Sequence, residues 1–128
     1  MTGQFLPLEI DVRDNLDGTW TLLQPLTYVA SDGTNYHVPA GFVTDFGSIP
    51  EILWEIPALV PNGSAADPAY VLHDYLYTLH HKGIGLMTRK QADDLLLEAL
   101  AVCGVNWLRR YTIYSGVRMG GWAAWNKT

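Results

Sequence analysis

The chain has 128 residues, of which 48% are hydrophobic and only 16% are charged. A chain of this length corresponds to one domain that can bury its own core, and the low charge excludes a disordered tail. The single cysteine, Cys103, excludes an internal disulfide framework and any metal site built from several thiolates. Neither a signal peptide nor an apolar run of the ~20 residues that span a bilayer is visible. We therefore expect a single domain over residues 1–128, made in a reducing cytoplasm.

The net charge of −5 is unevenly distributed along the chain. Residues 1–80 contain ten acids and one base, a net charge of −9, whereas residues 81–128 contain seven bases and three acids, a net charge of +4. A chain that is acidic overall is not expected to bind nucleic acid. The positive charge of the C-terminal part is what ordinary exposed helix faces carry, although it would also suit an anionic surface.

The first forty residues alternate between apolar and polar side chains, which predicts half-buried strands. Turns rich in Asp, Asn and Gly separate the alternating segments. The predicted strands cover residues 8–13, 19–23, 26–29, 35–38 and 42–44.

From residue 48 onward the pattern becomes helical. Capping boxes begin at Ser48 and Thr88, and Asp67-Pro68 marks another helix start. Gly104 and the pair Gly120-Gly121 mark two helix ends. The predicted helices cover residues 48–55, 68–80, 88–103 and 107–119.

Strands followed by helices are typical of the α+β class. We predict an N-terminal antiparallel β-meander within residues 1–46, packed on a bundle of three to four helices within residues 48–125.

The second predicted helix carries the sequence His73-Asp74-Tyr75-Leu76-Tyr77. On a helix, His73, Tyr77 and either His80 or His81 share one face, which borders an apolar stripe. Asp74 lies about 100° round from His73, at the rim of the same face. Because these side chains bind and release protons, this face is the first candidate site.

Asp93, in the third predicted helix, is the candidate partner of His73. On a helical wheel Asp93 falls inside an arc of apolar residues, whereas Asp94 falls beside Glu98 on the solvent side. A carboxylate among apolar side chains is costly unless a polar group pairs with it. We therefore predict that Asp93, rather than Asp94, contacts His73 across two antiparallel helices.

A His–Asp pair of this kind has two interpretations. A buried carboxylate orients an imidazole and stabilises its developing charge, which suits the activation of water. The same pair is also explained as a buried hydrogen bond that joins two helices without any chemistry. The spacing alone leaves both interpretations open.

Three segments resemble DUF1353, a family of phage and prophage proteins. They are residues 38–50 (VPAGFVTDFGSIP), residues 72–77 (LHDYLY) and residues 91–93 (QAD). The resemblance extends over about residues 36–125 and implies a viral or prophage context. It brings no established activity.

A second, local resemblance concerns chemistry. The pattern His-Asp-x-x-Tyr on one helix, with an aspartate about twenty residues later on an antiparallel helix, is similar to secreted phospholipases A2. This resemblance implies that His73 activates water, that Asp74 binds calcium and that Asp93 orients His73 with help from Tyr77. The chain lacks the paired cysteines and the glycine-rich calcium loop of those enzymes. The candidate catalytic residues are therefore His73, Asp93 and Tyr77.

Asp74 and Asp45 are the candidate metal ligands. Asp45 lies where the predicted sheet gives way to the helices, in the kind of loop that presents functional groups. An Asx turn and the Ser48 cap explain the same loop without chemistry. Because the donors on offer are oxygens, a site here would take Ca²⁺ or Mg²⁺, with a weak Kd of about 10⁻⁴ to 10⁻³ M. The sequence makes no cofactor certain.

The C-terminal segment is the candidate docking surface. Its aromatic residues, Trp107, Tyr111, Tyr114, Trp122 and Trp125, are interleaved with Arg109, Arg110 and Arg118. Such a segment suits a lipid interface or a protein partner. A core-facing aromatic stripe with arginines that reach solvent is the alternative.

Two functions follow from these residues. The first is a small phage-type hydrolase-like protein whose His/Asp site activates water, with lipid or other cell-envelope material as substrate by analogy. The second is a non-enzymatic virion, tail or host-interaction component in which the His–Asp pair is structural. Its partners would be other phage proteins or a component of the host envelope. The protein would lie in the cytoplasm of the host bacterium or be incorporated in the virion.

Overall fold

The computed structural model of the chain describes residues 3–45, 67–85 and 87–126. Within them, six strands precede three helices, so the predicted α+β class is confirmed. The strands are β1 Gln4–Leu6, β2 Val12–Asp14, β3 Trp20–Leu22, β4 Leu26–Val29, β5 Asn35–Val38 and β6 Val43–Thr44. The helices are α1 Asp67–His81, α2 Arg89–Val102 and α3 Trp107–Trp125. The helix predicted over residues 48–55 lies outside the described residues.

The strands are divided between two antiparallel sheets, ordered β1-β4-β5 and β2-β3-β6. The sequence predicts one meander, but β1 pairs with β4 and β3 pairs with β6, which are distant in the chain. The strand predicted over residues 8–13 begins only at Val12, and Leu8 is exposed. Pro7 directly follows β1, where proline has no N–H to continue the strand ladder, and the chain enters the other sheet only at Val12.

Helices α1 and α2 follow their local signals closely. α1 extends one residue beyond the predicted range at each end. The Thr88 hydroxyl accepts from the Gln91 N–H and the Gln91 side chain accepts from the Thr88 N–H, which is the predicted capping box. Gly104, with φ near +83°, follows the last turn of α2, and the next N–H bonds back to Leu100. This left-handed glycine satisfies carbonyls that the helix end leaves open.

Helix α3 is longer than predicted. It continues through Gly120 and Gly121 to Trp125 instead of ending at the two glycines. Gly121 is buried, and a Cβ atom at this position would lie 2.9 Å from the Tyr77 hydroxyl. The glycine therefore allows α3 to approach α1 closely, and this packing outweighs the local tendency of glycine to end a helix.

The core combines both sheets with all three helices. α1 contacts β5 and β6, and α2 contacts β1. Glu98 of α2 also accepts hydrogen bonds from the Tyr28 hydroxyl at 2.7 Å and from the Ser31 N–H at 3.0 Å. The largest fully buried side chains are Tyr28, Tyr70, Leu22, Leu26, Leu72, Leu96, Leu100, Ile113, Val38 and Val71. Across the part of the chain that the structure describes, none of the helices has the length and apolar character needed to cross a bilayer.

Candidate functional site

His73 and Asp93 meet where α1 and α2 pack together. His73 Nε2 lies 2.7 Å from Asp93 Oδ1, and both side chains are buried. One turn further along α1, the Tyr77 hydroxyl lies beside Gly121 of α3, as does Arg89, one turn back on α2, so α1 and α2 run antiparallel. The contact predicted between His73 and Asp93 is therefore confirmed, and the distance suits a proton relay. The chemical roles of the two residues remain predictions.

The Asp93 carboxylate accepts hydrogen bonds from all three helices. Its Oδ1 accepts from His73 Nε2 and from the Tyr77 hydroxyl, each at 2.7 Å. Its Oδ2 accepts from Arg118 of α3 at 2.9 Å and from Arg89 of α2 at 3.3 Å. Asp93 has no exposed surface, so these four donors replace the water that the carboxylate loses on burial.

The sequence does not indicate the two arginines of this network, Arg89 and Arg118. Arg89 lies four residues before Asp93 on α2, a spacing that pairs side chains on a helix and could have identified it. Its guanidinium also donates to the backbone carbonyls of Val117 and Arg118. Arg118 is 25 residues from Asp93 in sequence, and no local pattern connects the two.

The surroundings of Asp93 decide its charge. Burial alone would raise the pKa of the carboxyl, but hydrogen bonds from His73, Tyr77 and Arg118 outweigh burial and hold the pKa below its usual value. Burial, reinforced by the Asp93 carboxylate, raises the pKa of Tyr77, so its hydroxyl keeps its proton. Because a carboxylate only accepts, the contact places a hydrogen on His73 Nε2. In the neutral ring, the lone pair then lies on Nδ1.

Asp74 lies beside this network, with Asp45 nearby. The Thr44 hydroxyl donates to Asp74 Oδ2 at 2.7 Å, and the backbone N–H of Asp45 also donates to the Asp74 carboxyl. Burial, together with the negative charge of Asp45, raises the pKa of Asp74 to about 6. The two candidate metal ligands are thus brought together, although Asp45 itself is exposed.

The described residues do not form a metal site by themselves. Across residues 3–45, 67–85 and 87–126, no three His, Cys, Asp or Glu side chains converge in a way that could hold an ion. The Thr44 hydroxyl donates to Asp74 Oδ2, so this carboxylate oxygen already accepts a hydrogen bond. A Ca²⁺ or Mg²⁺ site at Asp74 and Asp45 therefore remains a prediction, and no chemistry is assigned to it.

The other two histidines of α1 contact the end of α3 instead of the site. His80 stacks on Trp125 with ring centroids 3.7 Å apart, and His81 Nε2 donates to the Ala124 carbonyl at 2.6 Å. Trp125 also meets the Tyr77 ring edge-on at 4.9 Å. The last turn of α3 is thereby held against α1, next to the Asp93 network.

Asp94 lies on the solvent side of α2, as predicted, and Cys103 packs against the core. Asp94 is exposed and pairs with Lys90 at 2.7 Å. Cys103 is half-buried against the core, and burial raises the pKa of its thiol to about 11, which keeps it protonated and unreactive. A cavity of about 310 Å³ lies on the other side of α2, lined by Tyr36, Asp94 and Glu98 among others, and does not include His73.

Comparison with known proteins identifies the family. The sequence profile of DUF1353, described as a protein of unknown function, matches residues 20–117, about three quarters of the chain. The match runs from β3 into α3 and includes His73, Asp74 and Asp93. Comparison with curated proteins and with solved structures gives no match. The chain belongs to the DUF1353 family.

Proposed function

We propose that this chain is a small hydrolase-like protein in which His73 activates water. The observation that carries the proposal is the 2.7 Å contact between His73 Nε2 and Asp93 Oδ1. With a hydrogen on Nε2, Nδ1 of the neutral ring carries the lone pair that would accept a proton from water. Asp93 stabilises the imidazolium that results, and Tyr77 fixes the position of the carboxylate.

The reaction class is the hydrolysis of an ester or a similar bond. As Nδ1 takes a proton from water, the water oxygen forms a bond to the acyl or phosphoryl centre. The bond between that centre and the leaving group then breaks, and the leaving group takes the proton from His73. His73 is the catalytic residue, while Asp93 and Tyr77 are positioning residues. Lipid or other cell-envelope material is the proposed substrate class, by analogy with the phospholipase A2 helix pair.

The proposed biological setting is a bacteriophage or prophage. It rests on the phage and prophage proteins that the sequence resembles. In this setting the protein acts in the cytoplasm of the host bacterium or as a component of the virion. Its partners would be other phage proteins or a component of the host envelope, contacted through the aromatic and basic segment of α3.

A second candidate is a non-enzymatic virion, tail or host-interaction component. The observation that favours it is the saturation of Asp93 by donors from three helices. Such a network fixes the arrangement of the helices whether or not His73 has a chemical role. On this interpretation, the His73–Asp93 pair is structural.

The test uses two substrates that represent the two kinds of envelope material. The purified protein is incubated with phospholipid vesicles, with fatty-acid release as readout, and with purified peptidoglycan, with loss of turbidity as readout. The parent is expected to act on one of them, His73→Gln to lose the activity, and the exposed-site control Asp94→Asn to keep it. Absence of activity on both substrates, or equal activity of His73→Gln, would favour the structural candidate.

A measurement that needs no substrate tests the base directly. Long-range ¹⁵N–¹H correlation spectra distinguish the two neutral tautomers of a histidine ring. His73 is expected to carry its hydrogen on Nε2, with Nδ1 unprotonated. A spectrum showing the hydrogen on Nδ1 would remove the proposed base.

A further inference from the structure

Helix α3 exposes five large apolar side chains on one face, three near its start and two near its end with Ser115 between them, and we call them the α3 apolar stripe. Trp107 is 65% exposed, Met119 is 80% exposed and Trp122 is 60% exposed, and Leu108 and Tyr111 lie between them. At about 100° per residue, all five lie within roughly one third of the helix circumference. Single exposed apolar residues are normal, but five large ones on the same face of one helix mark an interaction surface.

The stripe is separate from the face that packs on the core. Ile113, Val117 and Gly121 are the buried residues of α3, and they lie on the opposite side of the helix. The helix is therefore apolar on two faces, of which the fold covers one. From Trp107 to Trp122, the stripe is about 22 Å long.

The charged residues of α3 itself have one sign. Residues 107–125 contain three arginines and no acid, in a chain whose net charge is −5. Arg109 is exposed and Arg110 is half-buried, and their positions on the helix lie on opposite sides of the stripe. Arg118 is the third arginine, and its guanidinium is engaged by Asp93. The partner that complements this helix is therefore apolar in the middle and anionic around it.

We propose that α3 lies in the plane of an anionic phospholipid surface, with the α3 apolar stripe inserted at the head-group level. Tryptophan and tyrosine suit this depth because they combine an apolar ring with a polar group, and arginines on the flanks can meet lipid phosphates. A second copy of the chain fits less well. A two-fold contact would place the same arginine-bearing helix on both sides of the interface.

This inference does not rest on the proposed hydrolysis, because the residues of the stripe lie outside the Asp93 network. The test is co-sedimentation of the full chain with phosphatidylcholine vesicles that contain either no phosphatidylglycerol or about a third of it. Binding to the anionic vesicles is expected, with weaker binding to the neutral ones and further weakening as salt is raised. The double variant Trp107→Ser/Trp122→Ser should bind at least ~10-fold more weakly, because two large apolar groups no longer insert.

Ile84→Ser is the matched control, because Ile84 is also 65% exposed but lies in the α1–α2 connection. It should bind the anionic vesicles as the parent does. Far-UV circular dichroism and a thermal melt establish that each variant is folded. Absence of binding to the anionic vesicles, or equal loss of binding in Ile84→Ser, overturns the proposal. A dimer of the parent in light scattering, together with a monomer of Trp107→Ser/Trp122→Ser, also overturns the proposal, because the stripe would then bind a second copy of the chain.

Discussion

Replacement of Asp93 by asparagine is the most informative single change. The substitution keeps the shape of the side chain but removes the charge and one of the two acceptor oxygens. An asparagine amide has one oxygen that accepts and one NH₂ group that only donates. Four donors face the Asp93 carboxylate, so the NH₂ group points at donors whichever way the amide is turned.

The expected cost follows from the burial of the partners. Removing one partner of a buried ion pair typically destabilises a protein by about 3–5 kcal/mol. Arg89 and Arg118 keep 20% and 30% of their side-chain surface exposed, so water partly solvates them when the carboxylate is gone. We therefore expect the lower end, about 3 kcal/mol. For a chain of this size, that corresponds to a fall in Tm of roughly 12 °C.

Thermal unfolding at several pH values measures this cost. The pKa of Asp93 is lowered in the folded protein, so its contribution is complete above the unfolded value near 3.8 and is lost as the pH falls through the lower folded value. The gap in Tm between parent and Asp93→Asn should therefore be constant at neutral pH and shrink below about pH 4. The control Asp94→Asn should shift Tm by less than ~2 °C, because exposed ion pairs contribute little. An Asp93→Asn variant that melts within ~2 °C of the parent would refute the account of the network.

Three further predictions concern Asp74 and Gly121. The pKa of Asp74 is raised to about 6 in the folded protein. Between about pH 4 and pH 6, the folded state therefore keeps a proton that the unfolded state has already lost, so the free energy of unfolding falls as the pH rises through this range. Asp74→Asn should therefore have a higher Tm than the parent at pH 7, and the difference in Tm should disappear by about pH 4. A variant with a lower Tm than the parent at pH 7 would contradict the direction of the pKa shift. Millimolar Ca²⁺ or Mg²⁺, compared with EDTA, should raise the Tm of the parent by a few degrees at most and leave Asp74→Asn unchanged; an equal rise in both proteins would place any ion elsewhere. Gly121→Ala should lose about 1 kcal/mol in urea unfolding, because a clash with the fixed Tyr77 hydroxyl exceeds the gain in helix propensity; a more stable variant would contradict the packing role of this glycine.

Local signals in the sequence predicted the parts of the fold that local interactions determine. The capping box at Thr88 and the glycine at position 104 fixed the ends of α2, since both act within one turn of the helix. The burial of Asp93 followed from the wheel, because the apolar arc of one helix is a property of that helix alone. The prediction that α3 ends at Gly120-Gly121 was wrong, because the packing of Gly121 against α1 outweighs the tendency of glycine to end a helix.

The remaining features depend on contacts between distant parts of the chain. Arg118 reaches Asp93 only when α3 packs on α2, and no spacing in the sequence records this packing. β1 has only three residues, too few for an alternating pattern to be recognised, and its partner β4 is far away in the chain. The division of the strands into two sheets has the same origin, because strand pairing is not encoded locally.

The sharing of Asp93 among three helices has a consequence for how the protein opens. A state in which α3 has detached while α1 and α2 remain packed would leave the carboxylate without Arg118 and deprive Arg89 of its carbonyl partners on α3. Such a state is costly, so detachment of α3 should bring the other two helices with it. The helices then form one cooperative unit, and the slowest amide protons of α1, α2 and α3 should exchange with deuterium at a common free energy of opening.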